Sequence, residues 1–357
     1  MAPVPAKKMV IVGEINCDLF YKNDFFKTLE DQVAERVHQA INKGGALGVA
    51  DIKKIVHETI ADMPKKNLGE AYIKRGGNGN NSTELFGKLG VPIKLISVTG
   101  TGSEWMKAEL AALGVDTSCI FQVPKTQPIS TIIEDPTTTK IFTAANFKRE
   151  MNFSSITLKK EDLADATIAF FTPMGAKFEL VLSMLHEMNA GITIAITVEI
   201  QAIDKLETLK QVVKHKVDIM FVNKSDALNI AGKKTLDEAD QVLSRFAKIR
   251  FITLGAEGSI IKSDFAAPVI LPVFKVKVAD RTGAGDAFAG GVLLKCHELA
   301  EQGGNLVARL EKATDEERRG ILEDLGVLGT AVAALKVSKG RTPSREEVND
   351  FLLKNKL

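Results

Sequence analysis

Short apolar runs at residues 93–98, 167–171, 193–198, 218–222 and 251–254 recur along this chain, with helical patterns between most of them. Each is brief and rich in Val, Ile, Phe and Thr, side chains that suit a pleated, buried surface. Strands that alternate with helices pair in parallel through right-handed crossovers. The sequence therefore predicts an α/β fold, a doubly wound, mostly parallel sheet flanked by helices. A first strand is expected at 8–12, ending on Gly13. The 357 residues can bury a large core, and no low-complexity tract or long linker divides them, so 1–357 reads as a single domain.

Two stretches depart from the alternation. Residues 27–68 are polar and mostly helical. Leu29, Val33 and Val37 share one face, as do Ile52, Ile55, Val56 and Ile60, with Gly44, Gly45 and Gly48 between the halves. This is a helical insertion, and its apolar faces could make a homodimer contact. Residues 119–147 are rich in Thr, Ile and Val, with Pro128, Pro136 and a Thr137-Thr138-Thr139 turn. They read as an antiparallel hairpin or small sheet standing apart from the main one.

Composition excludes several classes. Lys+Arg 47 against Asp+Glu 45 leaves a net charge of +2, which marks neither a nucleic-acid partner nor an anionic membrane. Cys17, Cys119 and Cys296 are widely spaced in apolar surroundings and read as reduced packing residues. The five histidines form no ligand pattern. No apolar run reaches membrane-spanning length, and the first residues lack a signal peptide's apolar core, so a cytoplasmic protein is expected.

The most informative stretch is 280–291, Asp-Arg-Thr-Gly-Ala-Gly-Asp-Ala-Phe-Ala-Gly-Gly. It follows an alternating segment (Val269, Leu271, Val273, Val276, Val278) expected to be a strand. It leads into a helical pattern at Phe288, Val292, Cys296 and Leu299. A glycine-rich turn opening a helix presents backbone N–H groups at the positive end of a helix dipole, which suits a phosphate. Asp286, in the same turn, is a plausible base for a hydroxyl that attacks such a phosphate, although an isolated Asp there would read as a cap.

Three further segments would gather outside the carboxyl ends of a parallel sheet. In Gly13-Glu14-Ile15-Asn16-Cys17-Asp18, Asn16 and Asp18 alternate and suit vicinal hydroxyls, or else close an Asx turn. Arg75-Gly76-Gly77-Asn78-Gly79-Asn80-Asn81 is expected to open a helix near Ser82 and combines uncharged donors and acceptors with room for a ligand. Its plainer reading is a capped loop. Thr253-Leu254-Gly255-Ala256-Glu257-Gly258 is a weaker, glycine-rich turn after a strand. No Gly-x-x-x-x-Gly-Lys-[Ser/Thr] occurs, and the G-x-G near 283 lacks a third glycine, which argues against a P-loop or a dinucleotide site.

Together these segments resemble the ribokinase (PfkB-type) family of carbohydrate and nucleoside kinases over nearly the whole chain. Residues 280–286 are similar to the family's Asp-x-x-Gly-Ala-Gly-Asp signature. The resemblance implies an ATP-dependent phosphotransferase acting on a hydroxyl of a sugar or sugar-like acceptor. Asp286 would be the general base, and the N–H groups of Gly283, Ala284 and Gly285 the anion hole. Asn16, Asp18, Gly76, Gly77 and Asn81 would hold the acceptor, and Asn223, Thr253, Gly255, Gly258 and Gly340 would lie on the nucleotide side. Lid elements would come from 17–27 and 119–147. Mg²⁺ would accompany ATP, with Asp226 acting on it through water, and Asp280 matches the position that helps hold a monovalent cation such as K⁺ in many members.

The sequence also departs from that pattern. Asn223-Lys224-Ser225-Asp226 replaces Asn-x-x-Glu, and Thr197-Val198-Glu199-Ile200-Gln201 lacks the Asp-x-Asn-x-Arg of many sugar-specific members. The insertion at 27–68 raises a nucleoside acceptor as an alternative. A catalytically silent ligand-binding member is a third reading.

Overall fold

A computed structural model of the chain describes residues 7–43, 47–127, 129–136, 138–143, 158–163, 165–188 and 191–355. Gly44, Gly45, Pro128, Thr137 and residues 144–147 of the sequence reading lie outside them. The chain forms two compact units: residues 1–15, 77–126 and 151–357 in the larger, 16–76 and 127–150 in the smaller.

The strands in chain order are β1 (Lys8–Gly13), β2 (Asn16–Lys22), β3 (Glu70–Gly76), β4 (Ile93–Thr101), β5 (Ile120–Thr126), β6 (Ile129–Asp135), β7 (Thr138–Thr143), β8 (Ala166–Thr172), β9 (Thr193–Thr197), β10 (Val217–Asn223), β11 (Ala247–Thr253), β12 (Ser259–Ser263) and β13 (Val269–Leu271). In the larger unit the described strands form one sheet in the order β13-β12-β11-β10-β9-β8-β1-β4-β5. Every neighbouring pair from β5 to β11 runs parallel, and β12 and β13 add an antiparallel edge. Strands covered on both faces should be apolar throughout. In β1, Met9, Val10, Ile11 and Val12 are all buried, as are Ile168, Ala169, Phe170 and Phe171 of its neighbour β8. The order reverses direction between β1 and β8, so the first βα segment and the later ones leave the sheet at one end, where ligands of open α/β sheets gather.

The smaller unit holds a sheet ordered β3-β2-β6-β7. The insertion is two helices, Phe25–Asn42 and Val49–Asp62, in the same unit. Among their described residues only Thr59 is buried, because the apolar positions are sparse and the flanking positions charged.

Three boundaries differ from the sequence reading. Ile120–Thr126 pairs parallel with β4 in the large sheet, so within 119–147 the small sheet starts at Ile129. The alternating run 269–278 is a strand only to Leu271: Pro272 follows, and it brings no N–H to a ladder. Phe274 and Val276 instead pack on Ala331 and Ala334. The Gly-Asn loop becomes helical at Asn78, not near Ser82, because Gly77 turns the chain with φ 87° and all three asparagines are absorbed into the first turn.

Candidate active site

The turn 280–286 is built by Gly283. It adopts φ 72°, ψ 16°, the left-handed region that L side chains avoid, and hands the chain to the helix Ala284–Glu301. First-turn N–H groups of a helix have no carbonyl within the helix to donate to, so those of Gly285 and Asp286 are available in principle to an anion. Asp286 stands in this first turn, half-buried, and burial lifts its carboxyl above the usual range while the Lys336 ammonium opposes the rise.

Asp280 opens the turn. Its Oδ1 accepts a hydrogen bond from Thr282 N at 2.8 Å, and its Oδ2 lies 3.8 Å from Lys336 Nζ. These contacts, the Thr282 bonds first, hold its carboxyl below the usual range. Gly340 caps the helix Asp315–Lys339 in the left-handed conformation, and a Cβ there would lie 3.8 Å from Asp280 Cβ. Asp280, Gly283, Asp286 and Gly340 are thus brought together around Lys336.

Of the residues expected on the nucleotide side, Asn223 and Thr253 are direct register partners at the carboxyl ends of β10 and β11. Asn223 caps the helix Lys224–Ala231: its Oδ1 accepts from Asp226 N at 2.8 Å, and its Nδ2 donates to Asp226 Oδ2 at 2.9 Å. Asp226 is buried and also accepts from Ile200 N at 3.3 Å. Gly255 and Gly258 both take positive φ in the turn after β11.

The acceptor candidates divide between the units. Gly77 and Asn81 belong to the larger one, where Asn81 N donates to Gly77 O at 3.0 Å. This helix start meets the end of β1 closely: a Cβ on Gly13 would fall 2.7 Å from Gly79 Cα and 2.9 Å from Thr172 O. Asn16, Asp18 and Gly76 belong to the smaller unit, with Asn16 and Gly76 in register across β2 and β3. A Cβ on Gly76 would overlap the Asp18 carboxylate, so the absence of a side chain there is what seats Asp18. On the same face of the small sheet, Phe20 and Tyr72 stack with ring centroids 5.0 Å apart and planes 3° from parallel, and Lys74 Nζ lies 4.8 Å from the Tyr72 centroid.

Two groups escaped the sequence reading. Glu199, just past β9, is half-buried; burial first, then Asp286 and Asp226, push its carboxyl up to about 7. Its signal was a carboxylate immediately after an apolar strand, in a segment noted only for a missing motif. Lys336 was a lone cation in the run Ala333-Ala334-Leu335-Lys336-Val337. Glu14 and Lys177 also form an ion pair, between the segments after β1 and β8.

Among the described residues no three His, Cys, Asp or Glu side chains are placed to hold a metal by themselves. The charge distribution nevertheless fits a divalent ion carried with a nucleotide. Burial and then the neighbouring carboxylates of Asp286 and Asp226 push the Glu199 carboxyl up to about 7, a setting that a nearby cation would relieve.

A model of the pfkB family of carbohydrate kinases matches residues 49–347. The chain belongs to that family. A cytidine kinase of Thermococcus kodakarensis is 28% identical over 231 residues, 63% of this chain and 81% of that protein. The fold is shared with a ribokinase from Giardia lamblia at TM-score 0.70 and 19% identity, covering 98% of this pfkB-family chain and 99% of that one. It is shared also with a nucleoside kinase from Methanocaldococcus jannaschii at TM-score 0.62 and 18% identity, covering 98% and 100%. No helix among the described residues is long and apolar enough to cross a membrane.

Proposed function

We propose that this pfkB-family chain transfers the terminal phosphoryl group of ATP to a hydroxyl of a sugar or sugar-like small molecule. The observation that carries the reading is Asp286 in the first turn of a helix opened by a left-handed glycine, with its carboxyl lifted toward the range useful to a base. The acceptor oxygen attacks the γ-phosphoryl, its proton passes to Asp286, and ADP leaves. The N–H groups of Gly283 and Gly285, with that of Ala284 once it leaves its 3.3 Å bond to Arg281 O, stabilise charge on the transferring group. Asn223, Thr253, Gly255, Gly258 and Gly340 serve the nucleotide side. Asn16, Asp18, Gly76, Gly77 and Asn81 serve the acceptor.

Magnesium bound with ATP would neutralise phosphate charge and polarise the group in transfer. Asp226, through water, and Glu199 are the carboxylates of this chain suited to it. For a monovalent cation at Asp280 the fit is poor, since the Lys336 ammonium already answers that carboxylate.

A nucleoside acceptor is a second reading, favoured by the stacked Phe20–Tyr72 pair on the Asp18 face of the small sheet. A flat aromatic surface beside a hydroxyl-binding carboxylate suits a ribose bearing a base. ADP release with ribose, fructose, inositol, adenosine and cytidine tests both. Turnover of a free sugar supports the first, turnover confined to nucleosides the second. Nucleotide binding without turnover of any acceptor would favour a silent, ligand-binding role.

A further inference from the structure

We infer that Lys336 is a positioning residue for phosphoryl transfer, a built-in cation that holds the Asp280–Gly283 turn in place of a bound monovalent ion. The inference rests on reading 280–286 as the phosphoryl-transfer turn. Asp280 is engaged at both oxygens, by Thr282 N at 2.8 Å and by Lys336 Nζ at 3.8 Å. The Lys336 side chain is only 16% exposed, against 45% for Asp280, so the ammonium is committed to this place while the carboxylate keeps one flank in water. The stem of the lysine fills the space beside the turn: a Cβ on Gly283 would lie 3.6 Å from Lys336 Cε. The backbone around it is tied to the same helix, since Ala279 N and Asp280 N both donate to Val337 O, at 2.9 and 3.1 Å.

A free cation beside Asp280 would meet the ammonium as a like charge, which disfavours its binding. The lysine offers the same compensation without recruitment from solution. Its charge also reaches Asp286, where it opposes the upward shift caused by burial. One side chain therefore serves both ends of the turn: it anchors the carboxylate that opens it and moderates the carboxylate that follows it.

The test exchanges KCl for choline chloride at constant ionic strength and measures the melting temperature and MgADP affinity of the full chain. For the wild type, both are expected to be equal in the two salts. For Lys336→Met, MgADP affinity should fall about tenfold in choline chloride, a modest coupling, and be largely restored by KCl. Lys336→Arg should behave as the wild type. A KCl-specific gain in the wild type overturns the inference, as does a Lys336→Met variant that matches the wild type in both salts. Should Lys336→Met fail to fold, Lys336→Gln and the wild-type comparison decide in the same way. If MgADP binds in neither salt, the nucleotide reading fails. A KCl-specific rise in melting temperature for Lys336→Met but not for the wild type would then still support the built-in cation, and its absence would refute it.

Discussion

Replacing Glu199 by Gln should stabilise this protein at high pH and leave it unchanged at low pH. The Glu199 carboxyl titrates near 7 in the folded chain against an ordinary value of 4.5, chiefly through burial and then through Asp286 and Asp226. The folded state thus holds this proton more tightly than the unfolded chain does. Stability linked to it is fully present below pH 4.5 and is lost as pH rises to about 7, beyond which the penalty is constant. Raising the carboxyl from 4.5 to about 7, at about 1.4 kcal/mol per pH unit, makes that penalty about 3.5 kcal/mol. At roughly 2.1 cal/mol/K per residue, unfolding a chain of this size carries an entropy of about 0.75 kcal/mol/K, so the Gln variant should melt about 5 °C higher at pH 8. Melting curves between pH 4 and pH 8.5 for both proteins are the assay. A gap of the same size at pH 4 and pH 8, or a Gln variant less stable at pH 8, would refute the account of a carboxyl raised by burial and its neighbours.

Other expectations concern single positions. Asp286→Asn should cost about 10²–10⁴-fold in turnover with MgADP affinity kept, measured by ADP release; near-normal turnover would remove Asp286 as the base. Gly13→Ala would set a Cβ 2.7 Å from Gly79 Cα and 2.9 Å from Thr172 O, both backbone atoms. Denaturant titration should show a loss of about 1–3 kcal/mol, and an unchanged midpoint would contradict the close approach. Arg250, 3% exposed, bonds both oxygens of Asp240 and one of Asp264. Arg250→Ala strands Asp240, while Asp264 keeps Lys216, and chemical denaturation should register a loss of about 3 kcal/mol.

The alternation of short apolar runs with helical patterns determined the class of fold, because a strand covered on both faces must be apolar along its length. The turn at 280–291 was equally legible: it is local, and its glycines report backbone conformation directly, as the left-handed Gly283 illustrates. Boundaries that hang on a partner were not legible. Nothing within Ile120–Thr126 distinguishes pairing with β4 from membership of the small sheet, since its Ile, Phe and Val suit either. Pro272, by contrast, was in plain view, and its missing N–H ended a strand that the alternation alone had extended.

What only the tertiary structure decided is the electrostatic setting of the turn. Glu199 follows β9, Asp226 sits in the helix after β10, and Asp286 opens a helix far along the chain. A period or a motif describes neighbours in sequence, whereas the energy of a carboxylate depends on charges and burial contributed by distant segments. The same holds for Lys336. In the sequence it is one cation among forty-seven Lys and Arg residues. In the fold it lies 3.8 Å from Asp280, because the long helix Asp315–Lys339 delivers its last turns to the start of the helix Ala284–Glu301.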